Sequence, residues 1–172
     1  RAIEANTQAL RLDPGSGAAK ARRILSFVYL RDCTTALQLV EQITTVSRQN
    51  RAEALRCAGR IDEAVQEIGP DYYPALMAAL LARKGQFDAA RKQIDQGSPK
   101  ARNSDELSHV AYALMGDTRQ AVTWLKKASL EGLPCYPLLE RDPDLDSLRK
   151  DPEFIAFMER LNAQQERFRA TL

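Results

Sequence analysis

A glycine followed five residues later by an alanine recurs along this chain, and no other feature constrains its fold as tightly. Gly59 is followed by Ala64, Gly85 by Ala90 and Gly116 by Ala121. Four residues beyond each alanine stands a large apolar residue: Ile68, Ile94 and Leu125. Four residues before each glycine stands another: Leu55, Leu81 and Tyr112. Two residues after the first two glycines come Ile61 and Phe87. The spacing predicts helix, tight turn, helix. Glycine takes the left-handed turn conformation without a Cβ penalty. Alanine is small enough for two helices to cross closely, and the larger residues fill the gaps around the crossing. Alternating runs of β-branched and aromatic residues are scarce, so the fold class is all-α.

The pattern extends towards the N-terminus. Arg31 occupies the glycine place, with Ala36 five residues on and Val40 four beyond that. Before it, Ala2, Ala9 and Pro14 fit the second half of one more unit. The aligned alanines Ala2, Ala36, Ala64, Ala90 and Ala121 are separated by 34, 28, 26 and 31 residues. A fixed theme with a drifting period is the mark of a solenoid.

On these residues the chain resembles the tetratricopeptide repeat family, whose helix pairs of about 34 residues carry small residues at set crossings. Ala2, Ala9 and Pro14 match the second half of a unit, and "AYALMGDTRQAVTWLKKA" matches across both helices. The middle units are short, and Gly97 replaces an expected alanine. The resemblance implies a right-handed α-α superhelix over residues 1–130. Residues 131–172 then form a terminal turn segment and a C-terminal capping helix of the same domain. It also implies a protein-binding role.

Composition agrees with an ordinary soluble domain: 172 residues, 44% hydrophobic, 28% charged, net charge +2. Such a charge is too small to argue for nucleic acid. No apolar stretch approaches the roughly 18 residues of a membrane span; "YYPALMAALLA" is of buried-helix length. The chain opens at Arg1 as if within a helix, so a fragment of a longer protein is expected. Three cysteines, Cys33, Cys57 and Cys135, form no CxxC pair. They read as free thiols of a reducing, cytoplasmic compartment, with Cys33 and Cys57 as packing residues.

One stretch invites a chemical reading. Asp142, Asp144, Asp146 and Glu153 fall at positions one, three, five and twelve of a calcium loop. Ser147 stands where that loop needs glycine, and Arg149 and Lys150 put positive charge near the ion. Helix capping explains the same residues better. Asp142 and Asp151 each precede a proline suited to the first helical position. Asp144, Asp146 and Glu153 then sit in first turns, where the helix dipole favours anions. Cys135, between Pro134 and Pro137, reads as a small apolar side chain in a turn. The lone histidine, His109, reads as a partly buried structural residue, without the partners a catalytic histidine needs. Phosphate loops, dinucleotide fingerprints and hydrolase elbows do not occur. The chain is expected to be no enzyme, and no cofactor or metal is expected.

In stacked helix pairs the first helices line the concave face. Counting back from each turn position places Ala18, Ala21, Leu25 and Val28 there, then Val46, Gln49, Glu53 and Arg56. Tyr72, Ala75, Ala79 and Ala82 follow, then Asn103, Glu106, Val110 and Ala113. The candidate partner-binding residues are Gln49, Glu53, Arg56, Tyr72, Arg83, Asn103 and Glu106. The lysine–asparagine carboxylate clamp of some family members is absent, so the lining suits an amphipathic helix or apolar peptide. Packing alone would account for the alanines equally well. The tail places Phe154, Met158, Leu161 and Phe168 on one helical face. It is expected to cap the stack, to lie in the groove or to pair two copies.

The segment "GLPCYPLLERDPDLDSLRKDPEF" is similar to the closing segment of tetratricopeptide regions in bacterial multidomain signalling proteins. The likeness rests on the Pro-Cys-Tyr-Pro turn, the two Asp-Pro caps, and Leu145, Leu148 and Phe154. It implies a C-terminal scaffold or sensor attached to a serine/threonine kinase or winged-helix DNA-binding domain. A peptide or small-ligand sensor is the alternative.

Overall fold

A computed structural model of the chain describes residues 2–43, 46–69, 73–96, 107–130 and 136–170. Every regular element among them is helical. They divide into two compact units, residues 1–72 and 73–172.

The first unit contains α1 (Ala2–Leu12), α2 (Gly17–Tyr29), α3 (Cys33–Gln42), α4 (Arg48–Cys57) and α5 (Ile61–Ile68). Side-chain caps start three of them. Ser16, Asp32 and Ser47 accept from the backbone N–H of Ala19, Thr35 and Asn50 at 3.3, 3.1 and 3.2 Å. These caps satisfy amides that a helix start leaves without a partner. α2 packs on α1, α3 and α4, and α4 packs on α3 and α5. Ile24, Val28, Ala36, Val40, Ala54 and Cys57 form the buried cluster between α2, α3 and α4.

The second unit contains α6 (Pro74–Arg83), α7 (Phe87–Gln96), α8 (Ser108–Leu114), α9 (Thr118–Leu130) and α10 (Tyr136–Arg141). A short 3₁₀ helix (Pro143–Leu148) and α11 (Pro152–Ala170) complete it. α6 packs on α7 and α8, α8 packs on α9 and the 3₁₀ helix, and α11 packs on α9 and α10. Its larger core joins Ala90, Val110, Val122 and Leu125 to Leu139, Leu145, Leu148, Phe154 and Phe157.

The glycine–alanine theme is realised four times in one geometry. Gly59, Gly85 and Gly116 have φ of 76°, 74° and 77°, and Arg31 joins them at 63°. At each turn the positive-φ residue donates to the carbonyl three residues back, and the next residue to the one five back. The second bond runs Asp32 to Phe27 (3.0 Å), with Arg60 to Leu55, Gln86 to Leu81 and Asp117 to Tyr112 at 2.9 Å. This double closure is the Schellman motif, which satisfies the last carbonyls of the leaving helix. Ala36, Ala64, Ala90 and Ala121 are all 0% exposed, as a close helix crossing demands. Arg31 stands in the glycine place as its spacing predicts, and carries the steric cost of a Cβ at that conformation.

One expectation fails outright. Cys33 and Cys57 are not free packing thiols; they form a disulfide, with Cα atoms 5.4 Å apart and a sequence separation of 24. Cys33 lies two residues after the Arg31 turn, and Cys57 two residues before the Gly59 turn. Packing α3 against the end of α4 brings the two together.

Candidate functional site

The expected binding residues do not form one exposed face. On α4, Gln49 is half-buried, while Glu53 and Arg56 are buried. Arg56 Nε donates to Glu53 Oε2 at 3.1 Å. A three-residue spacing puts the two side chains on one helical stripe, where opposite charges meet. Arg83 closes α6 and is committed to the fold: its guanidinium lies 2.6 Å from Asp144 Oδ1, on the 3₁₀ helix. The Asp144 side chain is only 2% exposed. A buried carboxylate requires such a partner. Tyr72, Asn103 and Glu106 lie outside the described residues.

In the second unit the apolar positions of the expected groove are likewise interior, whereas in the first Ala18 is exposed and Ala21, Leu25 and Val46 are half-buried. Ala75, Ala79, Ala82, Val110 and Ala113 are all buried. Around Ala113 the reason is local, because Ser147 Oγ donates to its carbonyl at 2.9 Å and lays the 3₁₀ helix along α8. The small residues serve tight packing here rather than an open lining.

The acidic run is a pair of helix starts. Asp142 accepts from Asp144 N–H at 3.0 Å, and Asp151 from Phe154 N–H at 2.8 Å. Pro143 and Pro152 open the two helices, as the capping pattern predicts. Arg149 donates to the carbonyls of Glu140 and Asp142 at 2.7 and 3.2 Å, gathering the end of α10 onto the loop. Among the described residues, no three His, Cys, Asp or Glu side chains converge as metal ligands would. Cys135 and the first half of the Pro-Cys-Tyr-Pro turn lie outside the described residues. His109 is buried on α8. No described helix is long and apolar enough to cross a membrane.

Open surface with an apolar floor gathers instead along α11. The first half of this helix buries Phe154, Phe157 and Met158 in the core of the second unit. Beyond Leu161 its side chains are mostly exposed. A groove of about 370 Å³ runs between this stretch and the end of α9. Phe157, Leu161 and Ala163 supply its apolar part, Ser129 and Gln164 its neutral polar part, and Arg160 and Arg167 its charge. Among the described residues, no acidic side chain lines it. Beside it two large apolar side chains face solvent: Leu130 is 90% exposed and Phe168 62%. The Met158, Leu161, Phe168 spacing was visible in the sequence. The approach of α9 that turns one helix face into a groove was not.

Two tyrosines carry perturbed phenols. Burial, with Asp95 nearby, pushes the Tyr112 phenol up from its ordinary value. Tyr136 is raised by its hydrogen bond to Glu140, at 2.8 Å. Both stay neutral through the physiological range, so they serve as hydrogen-bonding and packing groups.

No family model, curated protein or solved structure matches this chain.

Proposed function

We propose that this chain is a protein-interaction module, built as a tetratricopeptide-like right-handed superhelix with α11 as its capping helix. The supporting observation is the α9–α11 groove, with its apolar floor, two rim arginines and the exposed Leu130 and Phe168 beside it. An amphipathic helix with an acidic polar face complements it: the apolar stripe meets Phe157 and Leu161, and the acids meet Arg160 and Arg167. The four identical turns support the repeat reading. The module serves a larger bacterial signalling or transcription-regulating protein, a role that rests on the closing segment's likeness. It works in the cytoplasm, where disulfides are characteristically transient and regulatory.

The test is fluorescence anisotropy of labelled amphipathic peptides, acidic and basic, on the full chain. The acidic peptide binds more tightly, and its affinity falls with added salt. Arg160→Glu with Arg167→Glu weakens it by at least about tenfold, ~1.4 kcal/mol. Equal binding of both peptides, or none, ends the proposal for this groove. A concentration-dependent doubling of mass, lost in the same variant, assigns the groove to a second copy. A small molecule that raises the melting temperature where peptides do not favours the sensor alternative.

A further inference from the structure

We propose that Cys33 and Cys57 are a peroxide-oxidised thiol pair, in which Cys33 attacks the oxidant and Cys57 resolves the product into the observed disulfide. The two positions are unlike. Cys33 is only partly buried at the first turn of α3, a ten-residue helix, and so more accessible than Cys57. There the positive end of the helix dipole favours a thiolate, although the Asp32 carboxylate already takes the Thr35 amide. Cys57 is 8% exposed at the last residue of α4, where the dipole and burial both disfavour one. An oxidant therefore reaches and finds the nucleophile at Cys33.

The backbone holds the pair together without the sulfur bond. On the Cys33 side, Asp32 N–H closes on Phe27 and the Asp32 carboxylate caps Thr35. On the Cys57 side, Gly59 N–H closes on Arg56 and Arg60 N–H on Leu55. Ile24, Val28, Ala36 and Val40 pack beneath. The reduced thiols thus remain neighbours, and closing the bond demands no refolding.

The chemistry balances. The Cys33 thiolate attacks one oxygen of a hydroperoxide, the O–O bond breaks, and the leaving oxygen departs with a proton as water or an alcohol. Cys33 is left as a sulfenic acid. The Cys57 sulfur then attacks the Cys33 sulfur, the S–O bond breaks, and hydroxide leaves with the Cys57 proton as water. The peroxide gains two electrons and the two thiols lose one each.

The experiment uses the full chain, reduced and freed of reductant. Substoichiometric iodoacetamide, followed by peptide mapping, labels Cys33 at least about tenfold faster than Cys57. Hydrogen peroxide then forms the Cys33–Cys57 disulfide. With dimedone present, Cys57→Ser carries the adduct on Cys33, whereas Cys33→Ser carries little on Cys57. Equal labelling of the two cysteines, an adduct on Cys57, or a disulfide to Cys135 would overturn the assignment. The alkylation arm needs no substitution, so a variant that misfolds leaves the outcome readable.

Discussion

The two units solve one problem with different means. In the first, three helices enclose a cluster made mostly of small and β-branched residues, and a covalent bond joins one turn to the next helix end. In the second, three leucines and two phenylalanines of the closing segment fill the core, and an ion pair between the exposed Arg83 and the buried Asp144 ties α6 to the 3₁₀ helix. Small cores bury too little apolar surface to offset chain entropy comfortably, and cross-links compensate. Where large side chains are plentiful, the chain needs only to satisfy the carboxylates that packing has enclosed, Asp144 by a cation and Asp142 by a backbone amide.

That contrast can be broken at several points. The largest effect belongs to Leu145→Ala, at a position 0% exposed in the second core. It should cost roughly 2–5 kcal/mol, read by urea unfolding through Trp124, the single tryptophan. A loss far below that range would mean the second core is not the tighter one. Next comes the disulfide. Cys33→Ser with Cys57→Ser should remove about 3 kcal/mol, seen as faster hydrogen exchange across residues 17–57 with the Trp124 transition unmoved. Loss spread equally over both units would erase the distinction between them.

Arg83→Ala should cost about 1–3 kcal/mol by depriving the buried Asp144 of its cation. Adding Asp144→Asn should recover much of that in a double-mutant cycle. Smaller still, Arg31→Gly should stabilise the first unit by about 0.5–1 kcal/mol, because the left-handed penalty disappears while glycine's extra chain entropy offsets part of the gain. Gly59→Ala should destabilise, and a matching sign at both sites would undo the equivalence of the turns.

The smallest effect concerns acid. Arg60 hydrogen-bonds Glu63 at 2.6 Å and holds its carboxyl below the usual range. A lowered folded pKa gives stability that is present above the unfolded pKa and lost as pH falls through the folded one. Both groups are exposed, so the margin between wild type and Glu63→Gln should be slight at neutral pH. It should vanish in acid, as melting temperatures at a series of pH values would report.

The turns were legible because a left-handed residue at a helix end is a strict local demand, and glycine answers it. Even Arg31 could be placed, since its neighbours Ala36 and Val40 kept the spacing. The two Asp-Pro starts were legible for the same reason: a cap acts within three residues. Exposure was not. Glu53 and Arg56 lie on the stripe that solvent should reach, but burial is decided by what packs over the stripe. The disulfide left one readable trace, because Cys33 and Cys57 flank successive turn positions symmetrically, two residues after one and two before the next. Cysteine spacing counted along the chain hides that relation. Counted from the turns, it is plain.

The recurring turn also bears on how such a chain can change its length. Each junction closes its own hydrogen bonds within six residues, borrowing nothing from the neighbouring junction. A duplication or deletion cut at two equivalent turns would therefore leave every remaining junction sealed. Intervals of 28, 26 and 31 residues between Arg31, Gly59, Gly85 and Gly116 fit such cutting and pasting, with the slack taken up between pairs. The Cys33–Cys57 link resists this freedom, because it spans one interval and fixes those two junctions as an inseparable cassette.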